Sequence, residues 1–129
     1  MKSKIILTVV CILALLGYGF FPFGQREYSK INDAILKGEA ENIGVYFGND
    51  VDLTLLNNNN KYSKSQAVKV LKEFFKKNPP LEFSSNSNRT YVSGRMTTED
   101  GESFYLNYTL KNRGNQLIIT DMTIKHGIF

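Results

Sequence analysis

Histidine, cysteine and clustered carboxylates are the side chains that most often carry chemistry, and this chain is poor in all three. His126 is its only histidine, one position before the terminal Gly-Ile-Phe, and is expected in solvent. Cys11 is its only cysteine and lies inside an apolar N-terminal run. A zinc site needs three or four ligands drawn mainly from those two types, so no metal is expected. The same count leaves no cysteine–histidine pair. A serine triad would have to recruit His126, and no serine stands in the Gly-x-Ser-x-Gly setting of a nucleophile elbow. Glu99, Asp100 and Glu102 bracket Gly101, but their spacing is not that of a calcium loop, and they read as a soluble turn. No cofactor is called for.

The elements that must position these residues can be read from periodicity. Tyr62 to Pro80, YSKSQAVKVLKEFFKKNPP, has a marked start and an enforced stop. Ser63 followed three residues later by Gln66 forms a capping box, which satisfies backbone N–H groups left free in the first turn. At 100° per residue Ala67, Val68, Val70, Leu71, Phe74 and Phe75 share one face, with Lys69, Lys72, Glu73, Lys76 and Lys77 opposite. Pro79 and Pro80 end the helix near Asn78. Upstream, Tyr28, Ile31, Ala34 and Ile35 recur at helical spacing with Gly38 as the stop. A second short helix is expected to carry Ala40, Ile43 and Phe47 and to end at Gly48. Val51 to Leu56 reads as a strand, and Asn57 to Asn60 as an exposed loop.

Beyond Pro80 the period becomes two. Leu81 and Phe83 open a strand, Ser84 to Asn88 form a polar turn, and Arg89 to Thr98 make the next strand with Gly94 at a bulge. Asp100-Gly101 marks a hairpin. Ser103 to Lys111 follows, with Phe104, Leu106, Tyr108 and Leu110 on one face. After a turn at Asn112 to Asn115, Gln116 to Lys125 is the last strand, with Ile118, Met122 and Ile124 on one face and Leu117 and Ile119 on the other. The order of helices then strands is α+β, with the last strands in a meander.

Lys2 and Lys4, the apolar run Ile5 to Leu16 and small residues at Gly17, Gly19 and Gly24 have the form of an export signal. Residues 1–24 are therefore expected to be removed, leaving 25–129 as one domain in the periplasm or outside the cell. The alternative is an uncleaved anchor, because Ile5 to Phe23 carries no charge and nearly spans a bilayer core of about 30 Å. The formal charge is +4, but Lys2 and Lys4 belong to the leader and the remainder is near neutrality. The lysines of the long helix are then its solvated side, and nucleic acid is not an expected partner.

At YSKSQAVKVLKEFF…NPPLEF, with INDAILKGEAENIGVYF upstream, the chain resembles the nuclear transport factor 2-like superfamily. Within it, the chain resembles the exported bacterial family catalogued as domain of unknown function 4783. The likeness runs from Ile31 to Ile124. It implies a cone in which a curved, mainly antiparallel sheet wraps the long helix and leaves a pocket at the open end. Phe74 and Phe75, on the apolar face of that helix, are then the plug about which the sheet curls and decide whether any pocket remains. Pocket enzymes of the superfamily move protons with a buried acid and a tyrosine, which here would be Asp121 and Tyr108. The competing expectation is that Asp121 faces solvent or pairs with Arg95 across the sheet. Tyr46, Tyr91 and Tyr108, with Arg95, are candidates for the pocket mouth, where a ring packs and its hydroxyl meets a ligand. The resemblance also implies a homodimer through the exposed sheet face. With no nucleophile or metal constellation, the expected function is a non-catalytic exported module that binds a small apolar ligand or a protein partner. The alternative is an isomerase, dehydratase or hydrolase.

Overall fold

The computed structural model describes residues 23–88 and 90–127. The expected leader, residues 1–24, lies outside the described residues except for its last two positions. Helix α1, Phe23–Leu36, opens there. Its end is set by Gly38, whose φ of +66° places it in the left-handed region. The Glu39 N–H reaches the Ala34 carbonyl at 2.9 Å and the Gly38 N–H reaches that of Ile35 at 3.0 Å, the paired bonds of a Schellman cap. None of the described helices is long and apolar enough to cross a membrane.

Helix α2 covers only Ala40–Gly44. The helical spacing that runs on to Phe47 is overridden by the sheet: the Tyr46 carbonyl accepts from the Ile119 N–H at 2.7 Å, and Phe47 begins strand β1, Phe47–Leu55. Of the expected Asn57–Asn60 loop only Asn57 lies in a turn. Strand β2, Asn58–Ser63, pairs with β1 antiparallel from Asp50↔Ser63 to Leu55↔Asn58. An edge strand needs backbone partners rather than side chains to bury, and Asn59 adds a bond from Nδ2 to Thr54 Oγ1 at 2.6 Å.

Helix α3, Lys64–Lys77, forms with the expected capping box, both of its bonds at 3.4 Å. Asn78 closes it, donating from its backbone at 2.9 Å and from Nδ2 at 3.1 Å to the Phe74 carbonyl. Strands β3, Pro80–Ser87, β4, Tyr91–Thr98, β5, Ser103–Arg113, and β6, Gln116–His126, form the meander. The polar stretch Ser84–Ser87 is thus strand rather than turn, held by pairing with Val92–Arg95. The turn comes at Asn88, whose Oδ1 accepts from the Thr90 and Tyr91 N–H groups. The six strands run β2-β1-β6-β5-β4-β3, with β1 parallel to β6 and the other pairings antiparallel.

Two local details decide which side chains face the helices. Gly94 is not a bulge, since pairing runs through it on both sides. A Cβ there would lie 2.4 Å from Phe83 Cε1, so the glycine is required by the ring that crosses it. The irregularity sits instead in β6, where pairing passes from Thr109↔Asp121 to Leu110↔Ile119 and skips Thr120. That extra residue shifts the alternation by one. Ile119, rather than Ile118, therefore joins Met122 and Ile124 in the core. The inner sheet face closes on α1 and α3. Phe74, 5% exposed, meets Phe104 edge-on with ring centroids 5.3 Å apart and Phe75 at 5.7 Å.

Candidate functional site

The sheet separates the six sequence-derived candidates into three places. Tyr108 and Phe74 lie inside. Tyr108 is 0% exposed, with its ring among core side chains of β4, β5 and β6. Its hydroxyl donates to Asn32 Oδ1 at 2.8 Å, and Asn32 Nδ2 donates to Ser85 Oγ at 2.9 Å. Nearby, the Tyr28 hydroxyl donates to the Asn88 carbonyl at 3.1 Å. Burial, reinforced by Tyr28, pushes the Tyr108 phenol well above its ordinary value. This tyrosine is a tie between helix and sheet, held protonated, and it does not reach the surface.

Asp121 is on the other side. Tyr108 pairs with Met122 and Thr109 pairs with Asp121, so neighbouring positions on β5 send Tyr108 inward and place Asp121 outward. The acid–tyrosine pair that the resemblance implies is therefore not assembled. Asp121 accepts from Thr109 Oγ1 at 3.0 Å and from Thr120 Oγ1 at 3.1 Å. Nor does it share a row with Arg95, which stands opposite Ser84 and Tyr105.

Tyr46 occupies the third place, a surface hollow of about 420 Å³ whose wall includes Glu27, Lys64, Arg113 and Ile118. Partial burial, then its hydrogen bond to Glu27 and that carboxylate's charge, push its phenol up to about 12. No group of three or more potential metal ligands occurs among the described residues. His126 is exposed and stacks on Phe104, ring centroids 4.9 Å apart.

Tyr91 and Arg95 stand on the outer sheet face with Asp121, and Tyr105 joins them. Tyr91 is 41% exposed and Tyr105 37%. Hollows of about 450 and 430 Å³ lie on either side of the Ser84–Arg95 pair, the first bounded also by Ser93 and Tyr105. Ser93, Asn107, Thr123 and Thr54 stand between the Arg95 and Tyr91 rows, and Lys125, Asp52 and Lys61 extend those rows. One of them, Asn107, has its Oδ1 buried without a hydrogen-bond partner among the described residues. Sequence reading missed Asn32, Tyr105 and Asn107. Asn32 follows Tyr28 by one helical turn, and Tyr105 alternates with Phe104, so the spacing that places them was present.

The family model for the domain of unknown function DUF4783 matches residues 28–125. The chain belongs to the DUF4783 family. Solved DUF4783 proteins are similar to it: one from Bacteroides ovatus is 26% identical over 78% of this chain and 94% of its own, with a TM-score of 0.70. Another from Bacteroides uniformis is 22% identical over 78% and 97%, with a TM-score of 0.72. A designed nuclear transport factor 2-type protein, 12% identical over 78% and 94%, superposes with a TM-score of 0.57. The fold of this DUF4783 chain is thus nuclear transport factor 2-like, as the helical pair and capped helix implied. Among curated proteins nothing matches.

Proposed function

We propose that this DUF4783 protein is an exported, non-catalytic recognition module that engages its partner through the outer face of the sheet. The observation that carries this reading is the division of side chains by the sheet. The inner face is committed to packing, and the hydroxyl of its buried Tyr108 is bonded to Asn32. The outer face presents Tyr91, Tyr105 and Arg95, which combine large contact area with polar ends. Such residues dominate recognition surfaces because ring area is gained with few rotatable bonds. Proton transfer would need an acid beside Tyr108, and Asp121 is directed to the opposite face. Export rests on the form of residues 1–24.

A photo-reactive phenylalanine analogue placed at Tyr105, with parallel substitutions at Tyr46 and Lys76, tests the reading in the protein's own cells. Adducts that form from position 105 and not from the other two are expected. Adducts confined to position 46 would move the recognition surface to the hollow beside Glu27.

A further inference from the structure

The sheet ends in two edge strands, and the two edges differ. Among the described residues β2 pairs only with β1, and β3 only with β4. The exposed part of β2 is Asn58 to Lys61, polar throughout. On β3, by contrast, Leu81 is 58% exposed and Phe83 is half-buried. The direction of the free backbone groups on β3 follows from its hairpin. The Asn88 N–H donates to the Tyr91 carbonyl at 3.0 Å, so position 88 turns its backbone toward β4. Backbone groups alternate along an antiparallel strand, so Asn86 and Ser84 do the same, while Ser87, Ser85 and Phe83 turn their N–H and C=O groups outward. Pairing from Glu82 to Ser87 is unbroken, and the irregularity is confined to Leu81. The side chains of Phe83, Ser85 and Ser87 lie on the inner face, opposite Met96, Gly94 and Val92.

Helix α1 runs along the same edge. Tyr28, Asn32 and Leu36 form one stripe at successive turns. Tyr28 bonds to Asn88, Asn32 bonds to Ser85, and a Cβ on Gly38 would lie 3.4 Å from Pro80 Cδ, so Leu36, 38% exposed, stands beside the strand between Ser85 and Pro80. Asn32 also meets Tyr108 on β5, which places α1 above the inner face rather than beyond the edge. The result is a groove with the flank of α1 as one wall and the outward backbone of β3 as the other, apolar at the end that holds Leu36, Leu81 and Phe83.

We infer that this groove binds an extended segment of another protein as an added strand, with an apolar residue opposite Phe83 and short residues opposite Ser85 and Ser87. The backbone of that segment pairs with the outward groups of Phe83, Ser85 and Ser87, and its side chains opposite them fall on the inner face beside α1. A second copy of this chain matches either the backbone or the apolar end, and not both. Two β3 strands related by a two-fold at Ser85 pair fully from Phe83 to Ser87 but set each Phe83 against a serine. A two-fold at Phe83 brings the rings together but runs each strand into the Leu81 irregularity and into Pro80, which has no N–H. The groove is separate from the outer sheet face and adds a second surface to it.

The test is selection of random dodecapeptides displayed on phage against the immobilised protein purified from its own cells, followed by fluorescence anisotropy with the enriched peptides. Enrichment of proline-free sequences that carry an apolar residue with short polar residues two and four positions from it is expected. Leu36→Ser and Leu81→Ser should each weaken binding about tenfold. Ser87→Pro removes one outward donor, spares the bonds to β4, and should weaken binding about fivefold. Methylating one alternate set of peptide nitrogens should abolish binding, and methylating the other set should leave it intact, because only one set faces β3. Lys76→Ala on the solvated side of α3 should change nothing. Circular dichroism melts confirm that each variant is folded. Absence of any enriched peptide would overturn the inference, as would binding indifferent to the three groove substitutions or equally sensitive to both methylation patterns. A dimer in light scattering that Ser87→Pro dissociates would assign the edge to a second copy and equally overturn it.

Discussion

Replacing Tyr108 by Phe removes one oxygen and leaves the packing volume unchanged, so it isolates the bond that ties α1 to the sheet. The hydroxyl lies 2.8 Å from Asn32 Oδ1, and its loss leaves that acceptor without its donor. An unsatisfied buried acceptor costs about 1 to 3 kcal/mol. Asn32 is half-buried, which lets water take over part of the role, and the expected cost is about 1 kcal/mol. For a domain of this size that lowers Tm by roughly 4 to 8 °C. Asn32→Ala breaks the same bond and the one to Ser85 as well. A double-mutant cycle with Tyr108→Phe, read from urea unfolding followed by circular dichroism, should give a coupling of about 1 kcal/mol. Coupling below about 0.3 kcal/mol would refute the tie. A proton-transfer activity lost in Tyr108→Phe with stability unchanged would return the residue to chemistry.

Phe74→Ala should cost about 3 to 5 kcal/mol, since the ring is 5% exposed and touches both Phe75 and Phe104; a loss below about 1 kcal/mol would mean the cone does not close on it. Gly94→Ala places a Cβ 2.4 Å from the Phe83 ring, and thermal melting should show a loss of about 1 to 3 kcal/mol, relieved when Phe83→Leu is added. Tyr46 and Tyr108 have folded-state values raised above the ordinary 10, so the unfolded chain loses those protons first. Their stabilisation is intact below about pH 10 and falls as pH rises toward 12 and beyond, which urea midpoints at pH 8 and pH 11 will reveal as a drop.

The helical part of this fold was legible because its signals are local. Ser63 and Gln66 cap α3, Pro79 and Pro80 stop it, and Gly38 stops α1, each through bonds made within a few residues. What was not legible depends on partners distant in sequence. Phe47 obeys helical spacing, yet the Ile119 N–H draws the preceding carbonyl into the sheet. Asn58–Asn60 has nothing to bury and still forms a strand, because β1 supplies its backbone partners. The skipped residue at Thr120 exchanged Ile118 for Ile119 in the core, and no local property of IIT marks that bulge. The candidate site suffered from the same limit. Period two placed Tyr108 inward correctly, but the face of Asp121 relative to it follows from register, which only the assembled sheet fixes.

Recognition by the outer sheet face is tested most directly by the tyrosines themselves. Nitration of the protein inside its own cells and after purification, mapped by mass spectrometry, compares the same rings with and without their partners. Tyr91 and Tyr105 should react freely in the purified protein and be protected in cells, with Tyr46 equally reactive in both and Tyr108 inert throughout. Equal reactivity of Tyr91 and Tyr105 in the two settings, or protection confined to Tyr46, would contradict the account.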